Sequence, residues 1–323
     1  MKNRVIRVLI VSGAAVLFLL IVLKSYSPFS KAGTSFASDK SKEITRIELS
    51  EGSKNLFLQK EGENWLIDGK SEARKNGMLF MIRVLQEIRI KSPVSNDMFQ
   101  KVITGKGIVP VKVKVYYKRK LLSSFLVYKT SSNKYGNIMK KKEGSDPFIV
   151  SVPGFEGDIG TAFTMNTLYW EPFTVFNLLP SEIATMSFQN LSDPSSSFSI
   201  GNRKHRYTFS GPQGEITGFD STLVTRYLSY FARIPLENWA FDLTPDERKK
   251  TESEQPMYRI TVLSTDGSST DLTLWERMTG DGVERKKDTD RLLGKTGKSN
   301  EFFIMRYFDI DPLIKKQSYF LTH

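Results

Sequence analysis

Apolar positions recur along this chain with two periods. Alternation of every second residue marks strands, and spacing of three and four marks helices. The first alternating segment is Ile44-Thr-Arg-Ile-Glu-Leu49, followed by Leu56-Phe-Leu58 and Trp65-Leu-Ile67, and these predict three short strands. From Met78 to Ile88 the apolar residues are Met78, Met81, Ile82, Leu85 and Ile88, with Arg83 and Glu87 between them, which predicts an amphipathic helix. Val111, Val113 and Val115 then alternate, Lys118 to Lys120 interrupt, and Phe125 and Val127 resume the period, so a strand pair with a basic turn is expected.

The second half repeats this order at three constant offsets, without internal gaps in any block. Adding 142 carries Leu56, Leu58, Trp65 and Ile67 onto Phe198, Ile200, Tyr207 and Phe209. Adding 143 carries Met81, Val84, Leu85 and Ile88 onto Val224, Tyr227, Leu228 and Phe231, with Asp220 or Ser221 as N-cap. Adding 147 carries Val111, Val113, Val115, Phe125 and Val127 onto Tyr258, Ile260, Val262, Leu272 and Leu274, with Asp266-Gly-Ser268 as the turn. Each half ends in a further strand candidate, Phe148 to Val152 and Phe302 to Tyr307, and Trp170 to Pro180 joins the halves. The expected fold class is α+β: two tandem related units of antiparallel strands, each with one main amphipathic helix, preceded by one transmembrane helix.

That helix is expected because Val8 to Leu23 holds no charged residue, while Lys2, Arg4 and Arg7 precede it and Lys24 follows. Val5 to Leu23 as a helix reaches roughly 28 Å, close to the thickness of a hydrocarbon core. A cleaved signal peptide is the competing reading, but Ser35-Phe36-Ala37, the small-x-small site, lies fourteen residues beyond Leu23. The expected boundaries are an anchor over 1–24, a polar linker over 25–43, a first unit over 44–180 and a second over 181–323. The three N-terminal cations favour a cytoplasmic tail, although Lys24, Lys31, Lys40 and Lys42 dilute the bias. The expected location is therefore the bacterial inner membrane, single-pass through residues 5–23, with the C-terminal domain in the periplasm.

Composition narrows the picture further. The chain has no cysteine, which excludes disulfides and cysteine lipidation and accords with an oxidising compartment. Its net charge is +12, falling to +7 when the five cations Lys2, Arg4, Arg7, Lys24 and Lys31 are set aside. The rest cluster at Lys118 to Lys120, Lys140 to Lys142, Arg248 to Lys250 and Arg285 to Lys287, read as solvated hairpin tips or as contacts for anionic lipid or glycan.

Residues 44 to about 90 carry Ile44-x-x-Ile47-x-Leu49, then Leu58-x-Lys60-x-Gly62-x-x-Trp65-x-Ile67, then the helix. This pattern resembles the bacterial family called domain of unknown function 4340, and Trp170-Glu-Pro-Phe-Thr-Val-Phe176 through Ile183 resembles that family's lead into a new strand. The resemblance spans about residues 40 to 240 and is weak in the second half. It implies an N-terminal membrane segment and the company of ABC-type transport components related to those named for gliding motility. It carries no catalytic or binding residue.

Few of the remaining motifs carry chemistry. His205 and His323 are the two histidines, one beside Arg203, Lys204 and Arg206, where neighbouring charge disfavours its protonated form. Asp288-Thr-Asp290 and Asp309-Ile-Asp311 are the nearest oxygen-ligand pairs, but neither has the spaced acids and glycine of a calcium loop. Gly294-Lys-Thr-Gly297-Lys-Ser299 evokes a phosphate-binding loop, yet Leu292 stands where its first glycine belongs and a strand-like segment follows. No catalytic residue, cofactor, metal site or nucleic-acid surface is assigned. The expectation is a non-enzymatic interaction protein, an accessory component of an ABC-type transport or gliding-motility-like envelope complex. The alternative is a binding module for anionic glycan or lipid in a groove between the halves, and a hydrolase ranks behind both.

Overall fold

A computed structural model describes residues 35–203, 206–279 and 286–321. The chain divides between Pro172 and Phe173 into two units, and each is described by itself.

The first unit is built on β1 (Arg46–Glu51), β2 (Lys54–Glu61), β3 (Asn64–Ile67), β4 (Ser71–Glu72), β5 (Arg89–Pro93), β6 (Val111–Tyr117), β7 (Lys120–Lys129), β8 (Asn137–Lys140) and β9 (Phe148–Ser151). They form one antiparallel sheet in the order β4-β3-β2-β1-β6-β7-β8-β9-β5. Leu49 on β1 lies opposite Leu56 on β2 and Val113 on β6, and Ile47 lies opposite Leu58 and Val115. All six are buried on one face. Strand parity then turns Glu48, Lys112 and Lys114 to the other face. Gly62, with φ 59°, makes the β2–β3 turn in the left-handed region where a side chain is costly.

Helix α1 (Lys75–Glu87) buries Met78, Met81, Val84 and Leu85 in the same cluster as those strand residues. Helix α2 (Asn96–Val102) begins at Ser95, whose side chain accepts a hydrogen bond from the Met98 amide at 3.2 Å. It packs Phe99 with Leu126, Tyr128 and Ile138, which alternate with core residues and so belong to the opposite face. A short α3 (Thr167–Trp170) closes the unit. Its fully buried Trp170 donates from Nε1 to the Thr164 carbonyl at 3.0 Å.

The second unit opens with β10 (Thr174–Phe176) and continues with β11 (Ile183–Asn190), β12 (Phe198–Arg203), β13 (Arg206–Gly211), β14 (Gly214–Glu215), α4 (Ser221–Ser229), β15 (Ile234–Pro235) and β16 (Asn238–Trp239). It then runs through α5 (Pro245–Ser253), β17 (Tyr258–Ser264), β18 (Ser269–Thr279), β19 (Lys286–Thr296), β20 (Phe303–Arg306) and α6 (Tyr307–Ile310). Its large antiparallel sheet has the order β14-β13-β12-β11-β17-β18-β19-β20-β16, the same as in the first unit strand for strand, and β10 and β15 form a separate pair.

The registers agree as well. Phe188 lies opposite Phe198 and Ile260, and Met186 opposite Ile200 and Val262, so the offsets of 142 and 147 join residues at equivalent ladder positions. On the buried face of this sheet, Phe198 meets Tyr227 of α4 at 5.6 Å between ring centroids. Asp220 caps α4, accepting from the Thr222 amide at 2.7 Å. On the opposite face the indole of Trp275 donates to the Glu254 carbonyl at the end of α5, and Lys295–Glu252 and Arg248–Glu301 ion pairs hold α5 down.

The described fold is mostly antiparallel sheet, 42% strand against 25% helix, so the α+β class gives way to a β-dominated one. The reason lies in strands too short or too polar to betray themselves by alternation, such as β4, β14, β16 and the first half of β19. No helix among the described residues is long and apolar enough to cross a membrane. Residues 1–24, on which the transmembrane helix and the single-pass assignment rested, lie outside the described residues, so that helix is not shown and the assignment is set aside. The basic clusters also sort differently. Lys118 to Lys120 do form the β6–β7 turn, but Arg248 to Lys250 lie on α5, because Thr244 and Glu247 build a capping box there.

Lys118 adopts φ 51°, a left-handed conformation that a side chain resists, whereas the β17–β18 turn places Gly267 at φ 87°. Lys118→Gly is expected to stabilise the first unit by about 1 kcal/mol in denaturant unfolding. Unchanged or lower stability would refute the strain at this turn.

Candidate functional site

In the second unit the main helix α4 gives way at Tyr230 to a tight turn, and the chain straightens at Arg233 before β15. Across from it, β20 ends in the single turn of α6. Between these segments lies a cavity of about 560 Å³, whose walls include Tyr230, Arg233, Tyr307, Phe308, Asp309 and Asp311. The floor is rigid. Tyr227 is fully buried and donates its hydroxyl to the Leu313 carbonyl at 2.9 Å, and burial pushes its phenol well above the ordinary tyrosine range.

The short α6 explains the groove's surface. Its Ile310 is buried, and Leu313 beyond it is buried too, so helical spacing leaves Phe308 pointing away from the core, 85% exposed. Tyr307 is half-buried, with its hydroxyl 3.6 Å from Sδ of Met257, and burial raises its phenol above the usual value. Asp309 accepts from Nε of Arg306 at 3.0 Å, and Asp311 lies 3.6 Å from Nζ of Lys315. Arg233 is exposed, and no carboxylate or aromatic ring among the described residues pairs with it. Three aromatic side chains, one guanidinium and two carboxylates thus line one groove, and aromatic residues with arginine are the composition typical of binding hot spots.

The residues singled out for chemistry fall elsewhere or are already engaged. Asp288 is buried on β19. Burial alone would raise its carboxyl, but the amides of Asp290 and Arg291, at 3.0 and 3.1 Å, and the guanidinium of Arg277 hold it below the ordinary aspartate value. Asp290 is exposed, and Asp309 and Asp311 have the cationic partners named above. Among the described residues no group of three or more His, Asp or Glu side chains could hold a metal ion. Gly294 sits inside β19 between Leu274 and Phe303, and a Cβ there would lie 2.3 Å from the Phe303 ring. It is a packing glycine rather than part of a phosphate loop. His205 and His323 lie outside the described residues.

No family model, curated protein or solved structure matches this chain. Sequence reasoning missed the groove because Phe302 to Tyr307 reads as one apolar strand. The signal it passed over is Tyr307-x-x-Ile310-x-x-Leu313, a helical spacing that leaves Phe308 outside.

The Arg277–Asp288 pair yields a pH-dependent expectation. A carboxyl held low in the folded state stabilises above its unfolded value near pH 4, and that stabilisation fades as pH falls. Arg277→Gln is expected to destabilise the second unit at pH 7, with the deficit shrinking below about pH 4. Urea unfolding of both proteins across that range checks it, and a pH-independent deficit would contradict it.

Proposed function

We propose that this chain is a non-enzymatic interaction protein, an accessory component of an ABC-type transport or gliding-motility-like envelope complex, and that its protein partner docks in the Phe308 groove. The observation that carries the proposal is Phe308 itself, a large apolar side chain 85% exposed that lines one groove with Tyr230, Tyr307 and Arg233. Isolated exposed apolar residues need no explanation, but aromatic residues and an arginine lining one groove have the composition of an interface centre. The engaged carboxylates support a non-catalytic role: Asp288, Asp309 and Asp311 each stand beside a cation, and Asp288 is held below the ordinary aspartate value by two backbone amides and Arg277. The resemblance of Ile44 through Ile67 to domain of unknown function 4340 supports the choice of company, and the lack of cysteine supports an extracytoplasmic setting.

A photoreactive amino acid placed at position 308 in living cells is expected to form a covalent adduct with one transport or envelope protein. The same substitution at Phe57, an exposed residue of the first unit's sheet, serves as the control. No adduct at 308, or the same adduct at both positions, would overturn the proposal.

A further inference from the structure

We infer that the β6–β7 turn of the first unit docks on the surface of an anionic phospholipid bilayer, with Lys118, Arg119 and Lys120 on the phosphates and Leu121 among the headgroups. Nothing in this contact depends on the Phe308 groove. Tyr117 pairs with Lys120, so Lys118 and Arg119 make a two-residue turn, and Lys118 takes φ 51° in a place that favours glycine. Thr45 holds the turn there, its hydroxyl accepting from the Lys118 amide at 2.6 Å. The fold itself does not ask for cations at this point. The matching β17–β18 turn of the second unit, Thr265-Asp-Gly-Ser268, gives its left-handed position to Gly267 and carries one acid and no cation. A strained side chain kept where glycine would serve points to a use for that side chain.

Lys118, Arg119 and Lys120 are exposed, and none of them forms an ion pair with a carboxylate among the described residues. The acids nearby are engaged elsewhere. Glu43 pairs with Lys60 at 2.7 Å, and Glu48 with Arg46 and Lys114. Asp39, which feels both Lys42 and Lys120, accepts from the amide and hydroxyl of Ser41 at 2.9 and 2.8 Å. Asp39 and Lys42 offset one another, so the turn keeps its three positive charges.

Three adjacent cations on an exposed turn suit an extended array of phosphates. A nucleic acid would also offer one, but it asks for open ring faces on which bases stack. Here Nζ of Lys118 lies 5.3 Å from the centre of the Tyr117 ring, and the Arg46 guanidinium lies 4.3 Å from that of Tyr116, so one face of each ring is already covered. Leu121, next to Lys120 and 49% exposed, sets an apolar group among the charges. A bilayer surface, with phosphates above acyl chains, takes up both. Near such a surface each cation is worth about fivefold in binding.

Because the chain has no cysteine, Leu121→Cys can carry a single polarity-sensitive dye on the full chain. The dye is expected to shift to the blue with vesicles of mixed phosphatidylglycerol and phosphatidylcholine and to stay unmoved with phosphatidylcholine alone. Its response should fade as salt rises. Lys118→Gly relaxes the turn, yet it should raise the vesicle concentration at half-response about fivefold. Adding Arg119→Gln and Lys120→Gln should raise it on the order of a hundredfold. Weaker binding by a relaxed turn is not the mark of a misfolded one. The same dye at Leu263→Cys, beside the second unit's turn, should not respond. No shift with anionic vesicles, an equal shift with neutral ones or at position 263, or a half-response unmoved in the triple variant would overturn the inference. A matching shift with soluble polyglutamate in place of vesicles would overturn it too, in favour of an acidic protein.

Discussion

Ile47 and Leu49 on β1 are buried where two ladders meet, and so are Met186 and Phe188 on β11. Their parity decides which way every neighbouring side chain points. A slip of one residue would send Leu56, Leu58, Val113 and Val115 to the solvent face and bring Glu48 and Lys114 inside. The main helices α1 and α4 can dock only on the face this choice makes apolar, and α2 and α5 take the far ends of the other face. Burial of the alternating aliphatic residues holds the sheets, and the polar groups elsewhere are arranged around that choice.

Much of this was legible in the chain. Leu56, Leu58, Val113 and Val115 alternate cleanly, and the constant offsets pair them with residues that occupy the same ladder positions, because turn and loop lengths between these blocks barely change. The helix read from Met78 to Ile88 lies over Lys75–Glu87, since its apolar stripe keeps a regular spacing. What escaped were the strands whose pairing is set by their neighbours. Lys286 to Arg291 carries one buried residue, Asp288, and is held as strand by the β18 and β20 ladders rather than by any pattern of its own. That hidden strand content is why the α+β expectation failed.

The groove escaped for a different reason. Tyr230, Arg233 and Phe308 are far apart in sequence, and each is unremarkable where it stands. The turn after α4 and the single turn of α6 bring them to one cavity, and both are breaks in regular structure that periodicity reads past. The same folding spends the residues that looked chemical: Asp288 anchors β19 through Arg277 and two backbone amides, and Gly294 makes room for Phe303. Motif-like spacing at Asp288 and Gly294 reflects packing rather than chemistry.

The central claim is that each unit has its own core set by its own central strand. Hydrogen exchange of the full chain, read segment by segment, tests it most directly. Two separate sets of slowest amides are expected, one in residues 46–51 and 111–117 and the other in 183–190 and 258–264, each flanked by faster-exchanging strands toward the sheet edges. A single protected set confined to one unit, or uniform protection with no maximum at these four strands, would contradict it.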